Sequence, residues 1–138
     1  DLADLKQMAD VFARIEAEHG LIQVLFNNAA IYNSGTDALT LDPDKFDATM
    51  DVNVRAPFFA AQWVAKRLIA AGQPGAIVNT ASISGLFGDY GLVAYNAAKG
   101  GVVNLTRTVA IDTGTLTITG ESYRGVRARK LAGSHKDK

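Results

Sequence analysis

Tyr95 and Lys99 stand four apart in a stretch that reads as helical, so their side chains fall on one face about one turn from each other. Ser82 precedes them, at the end of the apolar run Ala76 to Thr80, which reads as a buried strand. A phenol alone is a poor acid near neutrality, with a reference pKa of about 10. A fixed ammonium beside it favours the phenolate, and a neighbouring hydroxyl can hold a carbonyl oxygen while the phenol delivers a proton to it. That combination suits the reduction of a ketone or the oxidation of an alcohol, provided a hydride donor lies opposite. A tyrosine followed four later by a lysine also arises by chance in many helices, and a serine in this setting often only caps local backbone.

Further residues fall in a consistent order around that group. Asn27-Asn28-Ala29-Ala30 follows an earlier apolar run, and Asn53 lies in Asp51-Val52-Asn53-Val54. With Ser82 and the Tyr95/Lys99 pair, these residues resemble the classical short-chain dehydrogenase/reductase family in both order and spacing, from about Leu5 to Asp112. The resemblance implies a partial Rossmann-like α/β fold, a doubly wound parallel sheet truncated at both ends. It also implies catalytic roles for Asn53, Ser82, Tyr95 and Lys99. Tyr95 would be the general acid/base, Lys99 would lower its pKa and hold the nicotinamide ribose, Ser82 would steady the substrate oxygen, and the main-chain carbonyl of Asn53 would hold a water in a proton relay. Asn28, Ala29 and Ala30, with Tyr95 and Lys99, would line the NAD or NADP cofactor. Ala30 departs from the glycine usual at that place. Family members are close to twice this length and open on a glycine-rich turn that cradles the cofactor pyrophosphate, and no such turn precedes Asp1.

Composition narrows the alternatives. A chain of 138 residues is long enough for one domain with a real core. An apolar content of 48% with 20% charged residues suits a soluble globular protein. Fourteen basic residues balance fourteen acidic ones, so the totals suggest neither nucleic acid nor an anionic membrane as partner. Without cysteine there are no disulfides, which is compatible with the cytoplasm. His19 and His135 are far apart, and no metal site is expected.

The elements that must position the chemistry can be read in turn. Leu5, Met8, Phe12 and Ile15 share one face of a helix that Gly20 ends. Leu21 to Phe26 suits a buried parallel strand, although Gln23 interrupts it. Asp42 is an N-cap with Pro43 in the first turn of a long helix reaching Ala71. Inside that helix Pro57 denies a hydrogen bond to the carbonyl of Asn53, which either frees that carbonyl for chemistry or makes a kink that serves packing. Gly85, Gly88 and Gly91 make the loop after Ser82 adaptable. Gly100-Gly101, inside the Tyr95 helix, costs about 1 kcal/mol per glycine relative to alanine and implies close approach of a cofactor or a second helix.

After Asp112 the character changes to an atypical basic tail, residues 113–138, with a solvated role as the default. Leu116 to Gly120, followed by Gly125, faintly resembles the family's opening strand and glycine turn, with a spacing one residue too long and Arg127 where the last glycine belongs. Two functions stay open. One is an NAD(P)-dependent oxidoreductase acting on a small alcohol or ketone, working as a homodimer or homotetramer through its two long helices. The other is a catalytically silent fragment or remnant held together by helix-mediated oligomerisation.

Overall fold

A computed structural model describes residues 1–35, 37–113, 117–121 and 126–128. Helix α1 (Leu5–His19) is capped by Asp4, whose carboxylate accepts from the Gln7 N–H at 2.9 Å. It stops at Gly20, whose positive φ of 83° turns the chain away as its N–H closes on the Glu16 carbonyl. Strand β1 (Val24–Asn27) follows. It starts three residues later than the apolar run suggested and takes in Asn27, because its extent is set by pairing with β2 (Ala76–Thr80) from Val24↔Ala76 to Asn27↔Asn79.

Between these strands lies helix α2 (Pro43–Met50), opened by Asp42 and Pro43 as expected from the sequence. The single long helix expected there is in fact three segments. Asp51–Arg55 is π-helical, and α3 (Ala56–Ala70) begins immediately after it. The wide turn closes through the Ala56 N–H on the Asp51 carbonyl, five residues back. Pro57 therefore sits in the first turn of α3, where the absent N–H is tolerated, instead of kinking a helix interior.

After β2 a 3₁₀ turn (Ile83–Gly85) leads to the longest helix, α4 (Val93–Thr113). Beyond it the chain returns to the sheet. Strand β3 (Thr117–Glu121) pairs parallel with β2, and β4 (Val126–Ala128) pairs antiparallel with β3, giving the order β1-β2-β3-β4. The expectation of two parallel strands followed by a tail thus gives way to a four-stranded mixed sheet. Of the resemblance seen at Leu116 to Gly120, Thr117–Glu121 is a strand, while the turn expected after it lies outside the described residues.

One face of the sheet carries the core. Leu25 and Ile77, paired across β1 and β2, pack with Met8 of α1, with Ala61, Val64 and Leu68 of α3, and with Ala110 of α4. Arg67 stacks on the Trp63 ring, 3.3 Å from its centre, and donates to the Glu16 carboxylate at 2.7 Å, which ties α3 to α1. On the opposite face Val24 and Phe26 remain 67% and 58% exposed.

Candidate active site

The carboxyl ends of parallel strands are where ligands collect in open α/β sheets, outside the sheet edge and beyond the packed core. Here the chain places polar groups at those ends. Asn27 and Asn79 lie two residues beyond Leu25 and Ile77, on the same strands and the same face. Asn27 Nδ2 donates to Asn79 Oδ1 at 2.8 Å and to the Pro57 carbonyl at 3.3 Å. Asn79 Nδ2 donates to Thr106 Oγ1 at 3.0 Å, and the Thr106 hydroxyl donates to the Val102 carbonyl at 2.7 Å. Asn79 and Thr106 are both fully buried, so this chain of bonds ties β1, β2, α3 and α4 together without leaving their polar groups stranded.

Thr80 ends β2 and serves both sides of the strand ends. Its hydroxyl donates to Asn28 Oδ1 at 3.0 Å, and its carbonyl accepts from Lys99 Nζ at 2.7 Å. Asn28, Ala29 and Ala30 are exposed, whereas Lys99 is only 3% exposed. Burial of the ammonium lowers the Lys99 pKa from the ordinary 10.5, and the Thr80 carbonyl gives the charge one good acceptor. Lys99 Nζ lies 5.6 Å from the centre of the Tyr95 ring, so the two residues share one side of α4 as their spacing predicts. Tyr95 is half-buried, and Tyr32 packs edge-on against it with ring centres 5.0 Å apart. Nothing in the spacing of Tyr32, on the loop after Ala30, pointed to that contact.

Ser82 caps the 3₁₀ turn: its Oγ accepts the Ser84 N–H at 3.2 Å. The backbone-capping reading therefore holds, and a hydroxyl that accepts one bond still has its own proton to donate. Ser84 is buried. Asn53 is buried in the π-helical segment, and its side chain closes on the loop after β1 from both directions. Oδ1 accepts the Ile31 N–H at 2.8 Å, and Nδ2 donates to the Ile31 carbonyl at 2.9 Å. The sequence pointed to the Asn53 carbonyl, and Pro57 brings it no N–H. The amide side chain has the added task of pinning the Asn28–Ala30 shelf.

Of the cofactor or second helix expected to approach the glycines of α4, the structure shows a second helical segment at Gly101, and it adds a tight turn at Gly100. A Cβ on Gly100 would meet the Gly85 carbonyl at 3.4 Å, and one on Gly101 would touch the Val54 side chain at 3.7 Å. The close approach belongs to the Ser82-bearing turn and to the π-helical segment. Among the described residues no cluster of three or more His, Asp or Glu side chains could hold a metal ion, and no helix is long and apolar enough to cross a membrane.

Known proteins resemble this chain in sequence and in fold. Residues 1–121 match the family described as short chain dehydrogenase, a match that runs past Asp112 and includes β3. The meso-2,3-butanediol dehydrogenase of Serratia marcescens is 37% identical over 114 residues, covering 83% of this chain and 44% of that protein. The 2-(R)-hydroxypropyl-CoM dehydrogenase of Xanthobacter autotrophicus is 41% identical over 115 residues, 80% of this chain and 46% of that protein. A solved 4-hydroxyisoleucine dehydrogenase complexed with NADH superposes with a TM-score of 0.84 at 33% identity, over 88% of this chain and 54% of that one. This chain therefore spans about half the length of the relatives it matches. The match over residues 1–121, the sequence identities and the superposition agree, and the chain belongs to the short-chain dehydrogenase/reductase family.

Proposed function

We propose that this chain carries the proton-transfer half of an NAD(P)-dependent oxidoreductase that interconverts a small alcohol and its ketone. The observation that carries the reading is the link through Thr80, which joins Asn28 on the exposed shelf to Lys99 beside Tyr95. In the reducing direction the Tyr95 hydroxyl gives its proton to the carbonyl oxygen of the substrate. Lys99 supplies positive charge beside the oxygen left negative, and Ser82 donates its free hydroxyl proton to the same carbonyl oxygen to hold it in place. Asn53 keeps the shelf in register through Ile31 and, with its carbonyl, serves the proton relay.

The residues present fit the nicotinamide ribose end of a dinucleotide. Asn28, Ala29 and Ala30 are small or polar and exposed, and Lys99 has ammonium protons beyond the one given to Thr80. NAD or NADP, when bound, supplies or accepts the hydride. The exposed Ile69 and Ile111 on α3 and α4 support a homodimer or homotetramer built through those helices.

Titrating NADH and NADPH against the purified chain, with nicotinamide fluorescence as readout, tests the reading. Saturable binding that Lys99→Ala abolishes is expected, and Tyr95→Phe should keep binding while losing about 10²–10⁴-fold in turnover. No saturable signal at millimolar cofactor would leave the catalytically silent fragment as the better description.

A further inference from the structure

We infer that Gly85 is a positioning residue: its bare backbone, seated on the Lys99–Gly100 peptide of α4, sets how closely the Ser82-bearing turn approaches the Tyr95/Lys99 pair. The inference rests on the function proposed above for the three side chains, but its geometry does not. A Cβ on Gly85 would lie 2.6 Å from the Lys99 carbonyl oxygen, 2.7 Å from its carbon and 3.0 Å from the Gly100 nitrogen. All three neighbours are backbone atoms of a helix, which cannot swing aside as a side chain can, so any residue larger than glycine must lift the turn from α4.

The contact is reciprocal and flanked. Gly100 offers its own bare Cα to the Gly85 carbonyl. On one side Lys99 Nζ reaches back to the Thr80 carbonyl at 2.7 Å, and on the other Asn96 Nδ2 donates to the Phe87 carbonyl at 3.3 Å. Residues 80–87 are thereby clamped to the single turn 96–100, with the glycine contact between the two hydrogen bonds. Lys99, whose backbone carries the Gly85 contact, is itself 3% exposed. A turn lifted from α4 lets water reach the ammonium and moves Ser82 away from the pair in one step.

Four of the five glycines of this region form a graded series that separates positioning from general destabilisation. At Gly85 a methyl collides with backbone, at Gly100 it meets the edge of ordinary contact, at Gly101 it touches a side chain, and at Gly88 it has nothing within 4 Å. The test follows the Lys99 side-chain titration by NMR in the full chain with labelled lysine, the signal assigned by its loss in Lys99→Arg. Neither cofactor nor turnover is needed, so failure here and failure of the proposed function are distinguishable.

Gly85→Ala should raise the Lys99 titration midpoint toward the ordinary 10.5, Gly100→Ala should raise it less, and Gly88→Ala should leave it where the unaltered chain has it. Alanine favours a helix more than glycine does, so Gly100→Ala can raise the thermal midpoint while loosening Lys99, a split that a merely structural role would not produce. A folded Gly85→Ala chain with an unshifted midpoint overturns the inference, as does a Gly88→Ala shift of equal size. If Gly85→Ala does not fold, Gly100→Ala decides: an upward shift supports the inference, and no shift overturns it.

Discussion

The two ends of the same pair of strands differ more than any other neighbouring regions of this molecule. At Leu25 and Ile77 the covered face of the sheet is wholly apolar, packed on Val64 and Leu68, both of which are fully buried. One pleat repeat further along, the paired residues are Asn27 and Asn79, held by hydrogen bonds to one another, to the Pro57 carbonyl and to Thr106, and the next residue, Thr80, accepts from Lys99. The apolar end can tolerate rearrangement as long as volume is conserved, since dispersion and burial have no direction. The polar end cannot, because each hydrogen bond fixes a distance and an angle. The first end therefore supplies stability, and the second converts some of it into the fixed placement of the candidate catalytic groups.

The division can be broken from either side. Leu68→Ala should have the larger effect on stability, about 2–5 kcal/mol, because it removes buried methyl groups from a site with no solvent access. Chemical denaturation would read it, and the Lys99 titration of the remaining folded chain should not move. A Lys99 shift in this variant would show that the ends are not separate. Thr106→Val should follow with about 1–3 kcal/mol. It keeps the shape but takes from Asn79 Nδ2 its acceptor, leaving a buried amide proton unpaired. Thr106→Ser, which restores the oxygen, should recover most of the loss. If valine proves as stable as threonine, the bond chain is not what orders the polar end.

The apolar end was the more legible in the sequence, for a physical reason. Its signals are local: the spacing of Leu5, Met8 and Phe12, the Asp42-Pro43 cap and the run from Ala76 to Thr80 each show within one element. The Tyr95/Lys99 pairing was legible too, since both belong to one helix. What escaped depends on partners distant in sequence. Asn27 and Asn79 are 52 residues apart, and Asn79 and Thr106 are 27 apart. The seat of Gly85 on α4 belongs to the same class, since a glycine in a loop looks adaptable until its neighbour is known. Thr117–Glu121 read as tail because a short threonine-rich run carries little strand signal without the β2 edge beside it.

The smallest effect concerns the charge that the polar end encloses. Burial lowers the Lys99 pKa below its unfolded value near 10.5, so within the window between the two the unfolded chain holds a proton that the folded chain has released. Stability contributed by this residue therefore rises as pH climbs through that window, and below it the buried ammonium is a standing cost. Lys99→Met removes the titration, so its stability difference from the unaltered chain should shrink or reverse toward lower pH and be flat below the folded pKa. The other lysines and tyrosines are common to both chains and cancel in that difference. The effect is small because the Thr80 carbonyl already offsets part of the desolvation, and methionine leaves that carbonyl without its donor. Parallel stability curves for the two chains up to pH 10.5 would mean that Lys99 titrates as though it were in water, and that its surroundings put no cost on the ammonium.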